Sequence, residues 1–275
     1  MGGIPLPGEL GERARDILAG RADPVPARDA ATVVVLREGP EVYLLRRKAS
    51  MAFAAGAYVF PGGSVDPRDA DQAVAWAGPP PAAWGRVFRA DEKTARGLVC
   101  AAVRETFEES GVLLAGSSPH SVVDDTTGDD WEADRLALIG RTLSLADVLG
   151  RRGLVLRADL LRPWAHWITP EIESRRYDTR FFVAALPPGQ RTRDVGGEAD
   201  QVAWVRPGEA IGQADRGEIF LMPPTRRTLS ELAAYEKVAD VLAVEREIVT
   251  VMPRVVEVGG EVRLVLDDDY RFGPA

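Results

Sequence analysis

Glu105, Glu108 and Glu109 stand at i, i+3 and i+4 in the run Arg104-Glu105-Thr106-Phe107-Glu108-Glu109-Ser110-Gly111-Val112. On a helix that spacing projects all three from one face. Adjacent carboxylates repel one another, and a chain that sets them side by side neutralises them with cations; an all-oxygen donor set suits Mg²⁺ or Mn²⁺. The bland alternative is a solvated acidic face.

The same stretch supplies what such a platform needs. Leu98, Val99, Ala102, Val103 and Thr106 recur at helical spacing on a face away from the three Glu, so one side can pack while the other meets a metal. Asp91 is placed to cap the start of this helix and Gly111 its end. Arg104 lies four positions before Glu108, close enough to hold its rotamer.

At this point the chain resembles the Nudix hydrolases, whose box reads G-x5-E-x7-R-E-U-x-E-E-x-G-U with U aliphatic. Arg104 to Val112 fit its second half, with Thr106 at an aliphatic position. Phe60-Pro61-Gly62-Gly63 is similar to the turn that opens the box, and six positions after Gly63, where the pattern has Glu, stands Asp69. The family runs 14 positions from that Gly to the Arg; here Gly63 and Arg104 are 41 apart, an excess of 27. An insertion at about 69–91, holding Trp76, Gly78-Pro79-Pro80-Pro81 and Trp84, is expected to loop out between turn and helix and fold over the site without a regular element.

A split box resembles the branch of the family that includes a mammalian peroxisomal coenzyme A diphosphatase. Residues 53–63, Trp164 to Pro170, Arg176 to Phe182 and Pro223-Pro224-Thr225 look like segments of that branch in the same order, so the similarity covers roughly residues 30 to 270. Other coenzyme A-cleaving Nudix enzymes carry Arg four positions before the first Gly of Gly-x3-Phe-Pro-Gly-Gly, and here that position is Ala52.

The resemblance implies an α/β/α Nudix sandwich with a mixed sheet, and hydrolysis of a phosphoanhydride in a nucleoside diphosphate linked to another group. Coenzyme A or its acyl derivatives are favoured, with ADP-ribose, NADH, dinucleoside polyphosphates and capped RNA as alternatives. Glu108 and Glu109 map to metal ligands, Glu105 to a ligand or general base beside Arg104, and the Gly63 carbonyl to a further ligand. A later loop usually adds a carboxylate, for which Glu198, after Gly196-Gly197, is the choice. Arg46 and Arg47, at a strand end, and Phe60, in the turn, are candidate substrate contacts. A reading from another class is a catalytically silent nucleotide-sensing Nudix module; the complete Glu set favours catalysis.

Composition sets the remaining bounds. With 275 residues and 45% hydrophobic content the chain can bury one large core, read here as a Pro-rich extension over 1–28 and a single domain over 29–275. No apolar run approaches a membrane span and the Pro-rich start lacks a signal pattern, so a cytoplasmic address is expected. A net charge of −8, a pI near 5.0 and Asp267-Asp268-Asp269 argue against DNA as a partner. The single Cys100 reads as a small core residue, and His166, between Trp164 and Trp167, as structural.

Strands are expected at Ala31–Leu36 and Glu41–Arg47 about an Arg37–Pro40 hairpin, at Thr179–Leu186, and at Gln201–Val205. Helices are expected at Pro207–Asp215, from Ser144, and as one long element over Thr225–Glu247, ahead of a hairpin of Arg254–Val258 and Glu261–Leu266 about Gly259-Gly260.

Overall fold

Ala31, Val33, Val34, Val35 and Leu36 are all at most 1% exposed, so both faces of the strand Arg28–Arg37 are covered, and the apolar run is continuous rather than alternating. This strand is central in a computed structural model that describes residues 3–48, 54–71, 73–193 and 199–266. The chain forms two compact units, one of Ala30–Ala165 and Arg180–Ile248, the other of Met1–Asp29, His166–Thr179 and Val249–Ala275. The N-terminal segment thus shares a unit with the C-terminal hairpin, whereas the sequence suggests a separate extension over 1–28 and a hairpin within the domain 29–275.

The main sheet has the strand order Phe220–Leu221, Ala57–Val59, Glu41–Arg47, Arg28–Arg37, Tyr177–Ala185 and Arg162–Ile168. The Phe220–Leu221 pairing is parallel and the pairing of Ala199–Val205 with Glu41–Arg47 is antiparallel, so the sheet is mixed as expected. Arg28–Arg37 and Glu41–Arg47 pair only at Leu36↔Val42 and Arg37↔Glu41. Beyond that point they splay. Ala57–Val59 takes up the freed edge of one strand at Leu45 and Arg46, and Gly62–Ser64 that of the other, with Ala31 opposite Gly63. The Gly62-Gly63 turn is thereby wedged into the fork of the central hairpin.

The helix Glu92–Ser110 is capped by Asp91, which accepts from the Thr94 N–H, and ends at Gly111 with φ 75°. Its Leu98, Val99, Ala102, Val103 and Thr106 are fully buried, on the face the periodicity indicated; Val99, Ala102 and Val103 share one core cluster with Val33, Val35 and Tyr43. Burial raises the Cys100 thiol to about 12, which suits a core residue and not a nucleophile.

The insertion is not a lid. Residues 67–70 form a 3-10 turn, Trp76–Ala77 a short strand beside Val155–Arg157, and Pro81–Phe88 a helix. Pro81 sits in the first turn, where its missing N–H costs nothing, so the Pro-rich text starts a helix instead of preventing one. Trp84 and Phe88 stack at 5.9 Å and meet Phe182 at 5.6 and 5.2 Å; they are core. The expected long helix is also two, Pro223–Leu232 and Val238–Leu242. The break lets Tyr235 meet Trp164 edge-on at 6.4 Å while Val238 and Val241 are buried. No helix among the described residues is long and apolar enough to cross a membrane.

In the smaller unit, Ile4–Pro5 pairs with Glu261–Val265, which pairs with Arg254–Val258 across Gly259 and Gly260, both at positive φ. Ala14, from the helix Gly8–Leu18, clusters with Ile172 and Val262. His166 is buried at 6% exposure, bonded through Nε2 to Asp178 and through Nδ1 to the Thr250 hydroxyl at 2.8 Å, as a structural histidine should be.

Candidate active site

Arg104 is the hub of the acidic cluster. Its Nε and Nη2 each donate to Asp69 at 2.9 Å, in a fork-to-fork pair with side-chain exposures of 11% and 2%. Its Nη1 donates to Glu105 at 2.7 Å and to Glu108 at 3.1 Å, and Nη2 also to the Ser64 carbonyl at 2.9 Å. One buried guanidinium therefore fixes carboxylates from both halves of the split box. Burial alone would lower the Arg104 pKa, but the bond to Asp69 and the charges of Glu105, Asp69 and Glu108 raise it well above its ordinary value. The spacing of Asp69 from Gly63 marked its position; its bond to Arg104 across the insertion became visible only in three dimensions.

The glycine turn meets the other side of the cluster. The Gly62 N–H donates to Glu109 at 2.8 Å. At Gly63 a Cβ would lie 2.5 to 2.7 Å from the Glu105 carboxyl atoms, so only glycine lets this carboxylate lie against the backbone. Thr106, in the aliphatic position, is buried by returning its hydroxyl to the Ala102 carbonyl at 2.7 Å.

Electrostatics follow from this packing. Burial raises Glu105, Arg104 opposes it and the Glu108 charge adds to it, leaving the carboxyl at about 7. Glu108 is raised too, mainly by burial, against the pull of Arg104. These are desolvated carboxylates with fewer positive charges nearby than negative, and a hard divalent cation satisfies that imbalance. Among the described residues no three acidic, His or Cys side chains already enclose an ion-sized space, because Arg104 takes up lone pairs of both Glu105 and Glu108. The donor chemistry nevertheless fits Mg²⁺ or Mn²⁺, since the carboxylates of Glu105, Glu108 and Glu109 are hard oxygen donors.

Supports from outside the box were not legible in the sequence. Arg135, 3% exposed, donates through Nη1 to the Glu108 carbonyl at 2.7 Å and pairs with Glu132, which also receives Arg193. The helix Asp129–Ile139 is thereby fastened to the box helix at Glu108.

The remaining expected residues fare differently. Glu198 lies outside the described residues, as does Ala52. Arg46 and Arg47 line a cleft of about 670 Å³ together with Tyr58, Asp200, Glu218 and Phe220; Arg46 is held there by Asp200 at 2.6 and 2.9 Å. Phe60 does not join them. Its side chain is 2% exposed, drawn into the interior with the turn, and presents no ring to a ligand.

Residues 92–232, about half of the chain, match the NUDT19 Nudix domain family. An acyl-coenzyme A diphosphatase NUDT19 of Xenopus laevis is 26% identical over 71% of this chain and 60% of that protein. The Gallus gallus protein of that name is 28% identical over 78% of this chain and 70% of its own length. This chain therefore spans less than two thirds of the frog protein. A solved NUDIX hydrolase from Alicyclobacillus acidocaldarius superposes with a TM-score of 0.67 at 28% identity, over 81% of this chain and 98% of that one.

Proposed function

The chain belongs to the Nudix family, in the branch of the NUDT19 domain, and from that premise we propose that it hydrolyses the diphosphate of coenzyme A or acyl-coenzyme A. Water adds to one phosphorus, the bridging P–O bond breaks, and 3′,5′-ADP and (acyl-)phosphopantetheine leave. The observation that carries the reading is the single buried Arg104 that gathers Asp69, Glu105 and Glu108 opposite the Gly62-Gly63 turn.

Glu105, Glu108, Glu109, the Gly63 carbonyl and Glu198 are the residues that would hold Mg²⁺ or Mn²⁺. When bound, the ion supplies charge stabilisation at the diphosphate and lowers the pKa of water. The chain's own groups do the rest. Arg104 fixes the rotamers of Glu105 and Glu108, so the carboxylates are aimed before substrate arrives. The Gly62 N–H holds Glu109 toward the turn. A carboxylate oxygen of Glu105 or Glu198 accepts the proton of the attacking water; a value near 7 for Glu105 matches a base working at neutral pH. Arg46 and Arg47 line the cleft that takes the remainder of the nucleotide, where Phe220, 55% exposed, offers an aromatic surface to a base.

The coenzyme A assignment leans on the named activity of the relatives. Ala52, at a position where other coenzyme A-cleaving Nudix enzymes carry Arg, keeps ADP-ribose, NADH, dinucleoside polyphosphates and capped RNA as the second reading. A panel of these substrates with Mg²⁺ and Mn²⁺ tests the choice. Release of 3′,5′-ADP from coenzyme A or its acyl esters well above every other turnover supports it. Dominant AMP release from ADP-ribose or NADH overturns it.

A further inference from the structure

The helix Asp129–Ile139 stops in a turn that normally calls for glycine, and the residue there is Arg141. The Arg141 N–H donates to the Leu138 carbonyl at 2.9 Å and the Thr142 N–H to the Ala137 carbonyl at 2.9 Å, the paired bonds of a Schellman termination. Its left-handed position falls on Arg141, at φ 57°. Gly140, one residue earlier, is at φ −73°. A side chain at a left-handed position carries a steric penalty that glycine avoids, so this placement invites a functional explanation.

The location supplies one. The Arg141 carbonyl accepts from Arg68 Nη1 at 3.2 Å, Arg68 forks onto Asp66, and the Asp66 N–H donates to Asp69 at 2.8 Å, the partner of Arg104. From the other side, Arg135 ties the same helix to the Glu108 carbonyl. The backbone of Arg141 is thus held beside the acidic cluster from two directions.

The neighbouring cations are committed. Arg104 serves three carboxylates, Arg135 serves Glu132 and Arg68 serves Asp66. Arg89, the other arginine at positive φ, pairs with Glu247. Among the described residues the Arg141 guanidinium has no ion pair or hydrogen bond, and the residue is exposed. A cation held in strain at the rim of a carboxylate cluster, with its donors unspent, is suited to an anion that arrives from solution.

We propose that Arg141 is a substrate-binding residue whose guanidinium meets nonbridging oxygens of the diphosphate presented to Glu105, Glu108 and Glu109. This rests on the reading that the site cleaves a diphosphate. The left-handed backbone aims the side chain, and the strain persists because Arg68 and Arg135 hold the turn from both sides.

Arg141→Gly separates the two roles, since it removes the cation and relieves the backbone. The melting temperature should stay unchanged or rise by about 2 °C. KM for coenzyme A should rise about tenfold or more, and Arg141→Lys should recover most of that loss. The dependence of KM on salt should weaken in Arg141→Gly. Dephospho-coenzyme A, which keeps the diphosphate but lacks the 3′-phosphate, should show the same fold-change; an effect confined to coenzyme A would overturn the assignment to the diphosphate. Equilibrium binding of ADP with Mn²⁺ serves as a second readout. If the wild type turns over neither substrate, the diphosphatase reading fails, while a tenfold weaker ADP affinity in Arg141→Gly still supports Arg141 as the anion contact. Unchanged ADP affinity and unchanged KM overturn it.

Discussion

Replacing each of two adjacent glycines by alanine should produce opposite kinds of damage. At Gly62 an added Cβ would lie 2.5 Å from the Ala31 carbonyl oxygen, 2.6 Å from the Thr32 hydroxyl and 2.8 Å from the Thr32 Cα. Two of these belong to the central strand's backbone, which cannot step aside. At Gly63 all three short approaches, 2.5 to 2.7 Å, are to the Glu105 carboxyl group, the far end of a flexible side chain. Gly62→Ala should therefore cost about 1–3 kcal/mol of stability, the range for overpacking. Each kcal/mol is worth about 2–4 °C in a chain of this size. Gly63→Ala instead swings the Glu105 carboxylate away, at about 1 kcal/mol for an off-rotamer side chain. Arg104 keeps Asp69 and Glu108 in the meantime. Misaiming one ligand should weaken Mn²⁺ affinity about 10- to 100-fold and lower kcat similarly. Thermal melting of the metal-free proteins, Mn²⁺ titration and turnover measure the three quantities. A Gly63→Ala protein with wild-type Mn²⁺ affinity and kcat would refute the claim that Glu105 works from its place against the turn.

Further expectations follow from the same contacts. In the metal-free chain Glu105 stands at about 7 against an ordinary 4.5; because the folded value is the higher one, the stability it contributes is complete below pH 4.5 and lost as pH rises through 7. Melting without metal should thus fall between about pH 5 and 7, and Mn²⁺ affinity should rise over that window by up to about tenfold per pH unit before levelling. A metal-free melting temperature that climbs across the window would contradict this. Asp69→Asn breaks a buried pair and should cost about 3 kcal/mol by urea denaturation, the low end for unpairing a buried charge, since Arg104 retains two other carboxylates; a change within error would mean that Asp69 is dispensable. Trp84→Ala should cost about 3–5 kcal/mol with KM nearly unchanged in the protein that folds, whereas a large KM change at full stability would return the insertion to the role of a lid.

The box helix was legible because every local cue agreed: an N-cap at Asp91, an apolar face repeating at helical period, and glycine at the end. The central hairpin was equally plain from its apolar runs and turn residues. Composition misled where position mattered more. Prolines in the insertion suggested irregular chain, yet Pro81 begins a helix whose Trp84 and Phe88 reach Phe182, far away in sequence. Between Leu232 and Val238 nothing local breaks the helical pattern; packing of Tyr235 on Trp164 does. At the site, the three glutamates could be read from spacing alone, whereas the bond from Arg135 to the Glu108 carbonyl spans 27 positions and leaves no periodic trace. Arg141 was hidden for a related reason: its left-handed position follows Gly140 by one residue, and only the dihedral angles show it.

The most direct test of the carboxylate cluster as a cation-dependent diphosphatase site is the rate of 3′,5′-ADP release from coenzyme A as Mn²⁺ is titrated into chelator-treated protein, for the wild type beside Glu108→Gln and Glu109→Gln. The wild type should be inactive without metal and saturate with Mn²⁺. Each variant should lose activity by roughly a hundredfold or more, with the metal-free melting temperature shifted by less than about 2 °C, since side-chain volume is conserved. Metal-independent release by the wild type, or near-wild-type turnover in both variants, would contradict the account.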